Sequence, residues 1–363
     1  MELELVNFIK DNPRNWEEIL SNKPYSITIK RDGGYVLFSY SMIDSDFSLS
    51  IVKECRGMIL REDTLKPVCV PFFKFFNVQE GNAAKIDWNS ARVTEKVDGS
   101  LIKVWYDDAW RISTNNTIFA YKAELQLQTT STKNYRDLFL DGLDKQNVHF
   151  NEFFYYLDKD YTYMFEVVSP LNRVVVPYPE TEIYHIGTRN NTTLKEENTD
   201  IGIRKPNEYN LYTLDDCLNA VADLPFSEEG YVVVDRYFNR VKIKSPAYVA
   251  AHHIKNNGVI TNERILNLLL LGEQSEFLGY FPEYTEMFDE ASRKLNLILD
   301  RLEYDWHNRI LEFSSRAEFA QWANKQFMPS CMYSLLDGKY FDPKDWLYHQ
   351  STEKISSWME RIQ

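Results

Sequence analysis

Glu95-Lys96-Val97-Asp98-Gly99-Ser100 is the stretch on which the reading of this chain turns. An alternating run ends at its start and an Asp-Gly turn closes it, so Lys96 is expected at a strand end. Leu101 to Tyr106 alternates again and is predicted to form a hairpin with Ala109 to Thr114 around Asp107-Asp108. Taken alone, this is a lysine beside a tight turn, and such a lysine is usually an ordinary surface residue. An amine near its usual pKa of about 10.4 is protonated and not nucleophilic. Neighbouring cations or burial would free its lone pair.

Working outward, residues 1 to 22 read as short helices broken at Pro13. Tyr25 to Ile29 alternates, Gly33-Gly34 marks a turn, and Tyr35 to Tyr40 resumes the alternation. Residues 122 to 158 look helical. Tyr161 to Val168, Glu182 to Arg189, Gly230 to Asp235 and Arg240 to Lys244 return to strands. The pattern predicts an α+β domain on antiparallel sheets over residues 1–245. From residue 246 to 363 it predicts an all-helical domain. Leu295, Leu299, Leu302, Trp306, Ile310 and Phe313 recur at spacings of three and four, as the apolar face of a long helix in a bundle core. Ser315 with Glu318 reads as a capping box, and Asp342-Pro343 as an N-cap with proline at N1.

Composition narrows the class. The chain has 363 residues, 44% hydrophobic and 26% charged, which fits a soluble globular protein of one large and one smaller domain. A net charge of −13 argues against a protein that coats bare nucleic acid, but leaves room for a local basic cleft. The 23 Tyr, 22 Phe and 8 Trp serve core packing first and base stacking second. Cys55, Cys69, Cys217 and Cys331 lack metal-ligand spacing and are expected as buried thiols in a reducing compartment. The six histidines form no cluster, so no structural zinc is expected. The start, MELELVNFIK, lacks a basic region followed by an apolar core, and no apolar run reaches the ~18 residues of a membrane span. A cytoplasmic chain is expected, in which the Asn-x-Thr sequons at Asn115, Asn190 and Asn191 carry no sugar.

The Lys96 stretch has company. Glu54-Cys55-Arg56-Gly57 precedes a strand, and Phe73-Lys74-Phe75-Phe76-Asn77 sets one cation in an aromatic run. Phe165-Glu166-Val167-Val168-Ser169-Pro170-Leu171-Asn172-Arg173 ends another strand, as does Gly187-Thr188-Arg189. Glu228-Glu229-Gly230-Tyr231-Val232 opens a strand, and Val241-Lys242-Ile243-Lys244 puts two lysines on one face. In this order the blocks resemble those of the covalent nucleotidyltransferases, the polynucleotide ligases and capping enzymes. The most similar pattern is that of the family of the first RNA ligase of T-even bacteriophages: E-C-R-G, K-F-F-N, K-x-D-G-S, F-E-x-V-x-P-x-N-R, E-G-Y-V and K-I-K-S. The resemblance spans residues 35 to 250.

That resemblance implies a nucleotidyltransferase (adenylation) domain and an ATP-dependent RNA ligase using ATP and Mg²⁺ or Mn²⁺. Lys96 would attack the α-phosphate and release pyrophosphate. The lysyl-AMP would pass AMP to an RNA 5′-phosphate, and a 3′-hydroxyl would displace AMP. The implied nucleotide-contacting set is Arg56, Lys74, Glu95, Asp98, Gly99, Glu166, Ile186, Lys242, Lys244 and Tyr248. Arg56 and Lys74 would grip the triphosphate, with surface salt bridges as the alternative. Lys242 and Lys244 would bind the α-phosphate and depress the pKa of Lys96. Glu229 is the firmer metal ligand, while Glu166 leans towards the ribose and is the second metal candidate. Asp98 either orients the lysine or a metal-bound water, or simply makes the turn. Ile186 packs on adenine or in the core, and for Tyr248 a place near the site competes with core packing. Relatives carry a lysine where this chain reads Ser113-Thr114-Asn115-Asn116-Thr117, so a phosphate contact there is open or falls to an amide. The implied partner is single-stranded or nicked-loop RNA, such as a broken transfer RNA, with a polynucleotide kinase-phosphatase acting upstream. The setting would be RNA repair in the cytoplasm, the host's if the chain is viral. A DNA ligase or capping enzyme would share Lys96 but usually adds an OB-fold, where this chain turns helical. A non-catalytic RNA-binding relative is the remaining alternative, against which the intact Lys96, Glu166, Glu229, Lys242 and Lys244 speak.

Overall fold

Alternation and turn chemistry build the first part of the chain as expected. In the computed structural model, which describes residues 3–125, 133–253, 261–308 and 313–362, helices α1 (Glu4–Asp11) and α2 (Trp16–Ser21) flank Pro13. Strands β1 (Ile27–Asp32) and β2 (Tyr35–Tyr40) follow, turned by Gly33 and Gly34 at φ +58° and +83°. Next come α3 (Ser50–Glu54), β3 (Arg56–Arg61), β4 (Pro67–Cys69), β5 (Phe76–Asn77), β6 (Arg92–Glu95), β7 (Ser100–Asp107) and β8 (Ala109–Thr114). Helices α4 (Tyr135–Lys145) and α5 (Phe150–Tyr155) lead to β9 (Tyr161–Val168), β10 (Glu182–Asn190), β11 (Glu196–Glu197) and β12 (Glu208–Tyr209). The series ends with α6 (Leu214–Ala222), β13 (Gly230–Val234), β14 (Arg240–Lys244) and α7 (Pro246–His253).

The helical character of residues 122–158 is divided between short elements. The chain runs through a 3₁₀ turn at Ala120–Lys122 and then α4 and α5, while 126–132 lie outside the described residues. Asn134 and Asp137 form a capping box that starts α4 afresh.

The strands form three sheets, in the orders β1-β2-β3-β4, β11-β10-β9-β7-β8 and β12-β6-β13-β14-β5. Nearly all pairs are antiparallel; the exception is β5, which lies parallel to β14 with Val241 opposite Phe76. Each five-stranded sheet buries one face. Ile102, Val104, Phe165 and Val167 pack on Leu138 and Phe139 of α4 and Phe153 of α5. Val93, Val233, Val241 and Ile243 pack on Cys217 and Val221 of α6. The four-stranded sheet packs Val36, Phe38, Met58 and Leu60 against Leu5 and Ile9 of α1. Packing of this kind dominates stability, since truncating a buried Phe typically costs about 3–5 kcal/mol.

The chain divides into two compact units, Met1–His252 and His253–Gln363. The second holds α8 (Asn262–Leu271), α9 (Gln274–Tyr280), α10 (Thr285–His307), α11 (Arg316–Ala323), α12 (Pro329–Leu336), α13 (Pro343–Tyr348) and α14 (Thr352–Arg361). Leu295 and Leu302 of α10 are buried against Phe319, Met332, Trp346 and Ile355, with Leu299, Trp306 and Phe313 packed at the margin. Ile310, the remaining member of the predicted stripe, lies outside the described residues. Ser315 and Asp342 cap α11 and α13 as read from the sequence, accepting from the Glu318 and Asp345 amides. The reciprocal half of the first box is displaced, because the Glu318 carboxylate takes the amide of Ser314 rather than Ser315. Among the described residues no helix is long and apolar enough to cross a membrane.

Candidate functional site

The faces of the two five-stranded sheets that do not pack on helices line a cavity of about 870 Å³. Alternation along β14 decides one wall. Val241 and Ile243 enter the core, so Arg240, Lys242 and Lys244 face the cavity. Lys96 follows β6 directly, and its amide donates to the Gly230 carbonyl at the start of β13 (2.8 Å). Gly230 sits at φ +132°, and a Cβ there would collide with the Ile243 carbonyl, so only glycine lets β14 lie this close.

Glu229, 5% exposed, is the electrostatic hub. Lys96 Nζ donates to its Oε2 at 2.7 Å, and Lys244 Nζ stands 3.3 Å from its Oε1. Glu229 thus lies between the Lys96 and Lys244 ammonium groups. On the opposite wall stands Glu166 of β9. Burial pushes its carboxyl up to about 7, against the pull of the Lys96 charge, while Glu229 adds to the rise.

Two expected nucleotide contacts are placed elsewhere. Asp98 is 5% exposed and does not line the cavity. Its Oδ2 accepts the amides of Val175 (2.9 Å) and Val176 (2.8 Å), and its Oδ1 accepts the Tyr248 hydroxyl (2.7 Å). Asp98 and Tyr248 therefore form a buried brace under the Lys96 turn. Gly99 does reach the cavity, and a Cβ on it would overlap the Val167 carbonyl of β9. Glu95 also lines the cavity, with its carboxylate on the Asn207 side-chain amide (2.8 Å).

The phosphate-gripping candidates come together. Arg56, which opens β3, makes no ion pair among the described residues, and its Nη1 is buried without a partner. Lys74 makes none either. Its ammonium lies 5.2–5.4 Å from the ring centres of Phe47, Tyr40 and Phe76. The parallel pairing of β5 with β14 brings the aromatic run alongside the lysines, so Phe75 lies under Arg56 (5.3 Å), Arg240 (5.6 Å) and Lys242 (5.7 Å).

Ile186 reaches the cavity through a β-bulge, since the β9–β10 register shifts between His185 and Gly187. A bulge re-aims the side chain of the extra residue. Gly187 allows it, because a Cβ there would strike the Phe72 ring. Arg189, in contrast, is spent on structure, donating to the Pro71 carbonyl (2.7 Å) and pairing with Glu196 (2.6 Å). Sequence reading missed Arg240 and Phe75. Arg240 pairs with the other oxygen of Glu196 (2.7 Å), and its place two residues before Lys242 was the available signal.

Among the described residues no three His, Cys, Asp or Glu side chains gather as a metal site. Glu166 lines the cavity, and Glu229, buried behind the Lys96 and Lys244 ammonium groups, is close enough to act on its charge; two carboxylates are the donor set Mg²⁺ accepts when phosphate oxygens and water complete its shell.

Comparison with known proteins agrees with this construction. A family model described as RNA ligase matches residues 54–248. The chain is 32% identical over 268 residues to a protein of Autographa californica nuclear polyhedrosis virus named as a bifunctional polynucleotide kinase/RNA ligase, over 68% of this chain but 37% of that protein. It is 28% identical over 319 residues to an RNA ligase of Rhodothermus phage RM378, over 69% of this chain and 71% of that one. Among solved structures, a Naegleria gruberi RNA ligase with pyrophosphate overlaps 46% of this chain and 52% of its own, at TM-score 0.34 and 16% identity. With the family match covering the span from Glu54 to Tyr248 that builds the cavity, this chain belongs to the RNA ligase family of the first RNA ligase of T-even bacteriophages.

Proposed function

We propose that the cavity adenylates Lys96 with ATP and that the AMP then activates an RNA 5′-phosphate for sealing to a 3′-hydroxyl. The observation that carries this reading is the pair Lys96 and Lys244, joined through the buried Glu229, in the wall of a cavity also lined by Arg56, Lys74 and Lys242. Catalysis of phosphoryl and nucleotidyl transfer is mostly positioning and charge neutralisation, and these residues supply both. Glu229 holds the Lys96 amine in one orientation. Once that amine has passed its proton to solvent in the cavity, nitrogen forms a bond to the α-phosphorus while the bond to pyrophosphate breaks. Arg56 and Lys74 face the departing phosphates, and Lys242 and Lys244 the α-phosphate. Glu166 holds the ribose hydroxyls, and Ile186 contacts the adenine. Glu229 with Glu166 would hold a divalent cation, Mg²⁺ or Mn²⁺, which supplies charge neutralisation for the polyphosphate.

The viral relative's name joins a kinase to a ligase. By the same chemistry, the 5′-phosphate this chain consumes comes from a phosphorylating activity, carried here or by a partner. We assign adenylation to residues 1–245 and the choice of RNA end, a broken transfer RNA among the candidates, to residues 246–363. The test is incubation with a divalent cation and α-labelled ATP or GTP, scoring label retained on the denatured chain. Label from ATP that disappears in Lys96→Ala is expected. No adduct from either nucleotide overturns the reading, and an adduct from GTP alone transfers it to capping chemistry. Sealing of 5′-phosphorylated single-stranded RNA against the matching DNA identifies the polymer.

A further inference from the structure

Lys103 is the one described lysine that is fully buried, at 0% exposure in the middle of β7. A buried ammonium is expensive unless its donors are met. The single hydrogen bond of this one among the described residues goes to the Gly57 carbonyl. Its strand neighbour is Ser113 of β8, two residues before Asn115. A Cβ placed on Gly57 would lie 2.7 Å from Lys103 Nζ, 2.5 Å from the Asn115 carbonyl oxygen and 2.9 Å from Asn115 Oδ1, so these groups crowd one point. Arg56 precedes Gly57 in the chain. Arg56 and Asn115 both line the cavity, and each leaves a buried polar atom, Nη1 and Oδ1, without a partner. The segment Ser113-Thr114-Asn115-Asn116-Thr117, at the end of β8 and just after it, brings no cation of its own to this wall.

We propose that Lys103 is a positioning residue for the polyphosphate end of the nucleotide: from β7 it supplies the positive charge behind Arg56 and Asn115, and its bond to the Gly57 carbonyl aims Arg56 into the cavity. The assignment rests on the adenylation reading above. It accounts for an isolated buried cation on a wall that offers unmet polar atoms to a ligand. Burial holds the Lys103 ammonium down to about 8, with Arg56 pushing the same way, so an anion arriving on this wall relieves an unfavourable charge.

The test separates binding of ATP from later chemistry. Lys103→Met and the relocated-charge variant Lys103→Ser/Asn115→Lys are assayed for lysyl-AMP formation over a range of ATP, and for sealing of RNA already carrying a 5′-adenylate, without ATP. Lys103→Met should raise the KM for ATP about tenfold, through the loss of the charge and of the hold on Arg56, with kcat within about threefold. Sealing of pre-adenylated RNA should be unchanged, and Asn115→Lys should restore KM in the Lys103→Ser background. An unchanged KM, a parallel fall of KM-independent sealing, or no restoration overturns the proposal. The wild-type protein offers a readout that needs no variant. Inorganic pyrophosphate should move the NMR titration of the Lys103 ε-carbon to higher pH, and no movement counts against the idea. Absence of lysyl-AMP in the wild type would instead sink the ligase reading itself.

Discussion

Glu166→Gln should make the protein more stable and less active at once, with a stability gain that grows from about pH 4.5 and is complete above about pH 7. The Glu166 carboxyl titrates at about 7 in the fold against 4.5 for an ordinary glutamate, chiefly because its half-buried place in the cavity wall desolvates the charge. Between those pH values the folded chain keeps a proton that the unfolded chain has lost. Stability therefore falls as pH rises from 4.5 to 7, and the full cost persists above 7. At about 1.4 kcal/mol per pH unit the cost is about 3 kcal/mol, and water in the open cavity brings it to about 1–3 kcal/mol. Glutamine keeps the shape and carries no charge, so urea unfolding at pH 8 should show Glu166→Gln more stable by that amount. At pH 5 the two proteins should nearly coincide. Glu54, whose carboxyl also titrates near 7, is present in both and cancels from the difference. Lys96 is the largest influence pulling the Glu166 value down, so Lys96→Met should enlarge the gain from Glu166→Gln at pH 8. A variant no more stable than wild type at pH 8, or equally stabilised at pH 5, would refute the reasoning. Loss of ATP label without loss of stability would show that this carboxylate is kept for function.

Three other substitutions probe the same frame. Asp98→Ala leaves the Val175 and Val176 amides and the Tyr248 hydroxyl without their acceptor, and should cost about 3–5 kcal/mol by chemical denaturation; a cost under about 1 kcal/mol would mean that the brace is not structural. Glu229→Gln weakens the bond to Lys96 (2.7 Å) and the pair with Lys244 (3.3 Å), and should cut lysyl-AMP formation at least about hundredfold with a normal circular dichroism spectrum; near-normal labelling would remove Glu229 from the centre of the site. Gly230→Ala drives a Cβ into the Ile243 carbonyl at φ +132°, and is expected to destabilise by more than about 2 kcal/mol and to lower labelling with it; a Tm within a degree of wild type would contradict the close approach of β13 and β14.

Much of the fold was legible because its signals are local. Two-residue alternation announced β2, β7, β9, β13 and β14, glycine pairs announced the first hairpin, and Ser315 and Asp342 announced helix starts. The helical character of residues 122–158 was legible, but its division into α4 and α5 depends on the capping box at Asn134 and Asp137 and on the turn after Lys145. Within the site, alternation alone put Lys242 and Lys244 on one face, and motif order brought in Arg56, Lys74, Glu166 and Glu229.

By itself, then, the sequence determined which strands form, which side chains share a face, and which family the chain resembles. Those properties follow from the period of two and from residues close together in the chain. Tertiary structure alone decided the pairings across long separations. Glu229 meets Lys96 over 133 residues of chain, and Tyr248 takes Asp98 out of the cavity over 150. A bulge that the pattern of β10 does not announce turns Ile186 inward. Lys103 reads in the sequence as one more polar residue on an alternating strand. Only the packing of β3, β7 and β8 buries it behind Arg56 and Asn115, because burial and field at a side chain are set by whatever the fold brings near it.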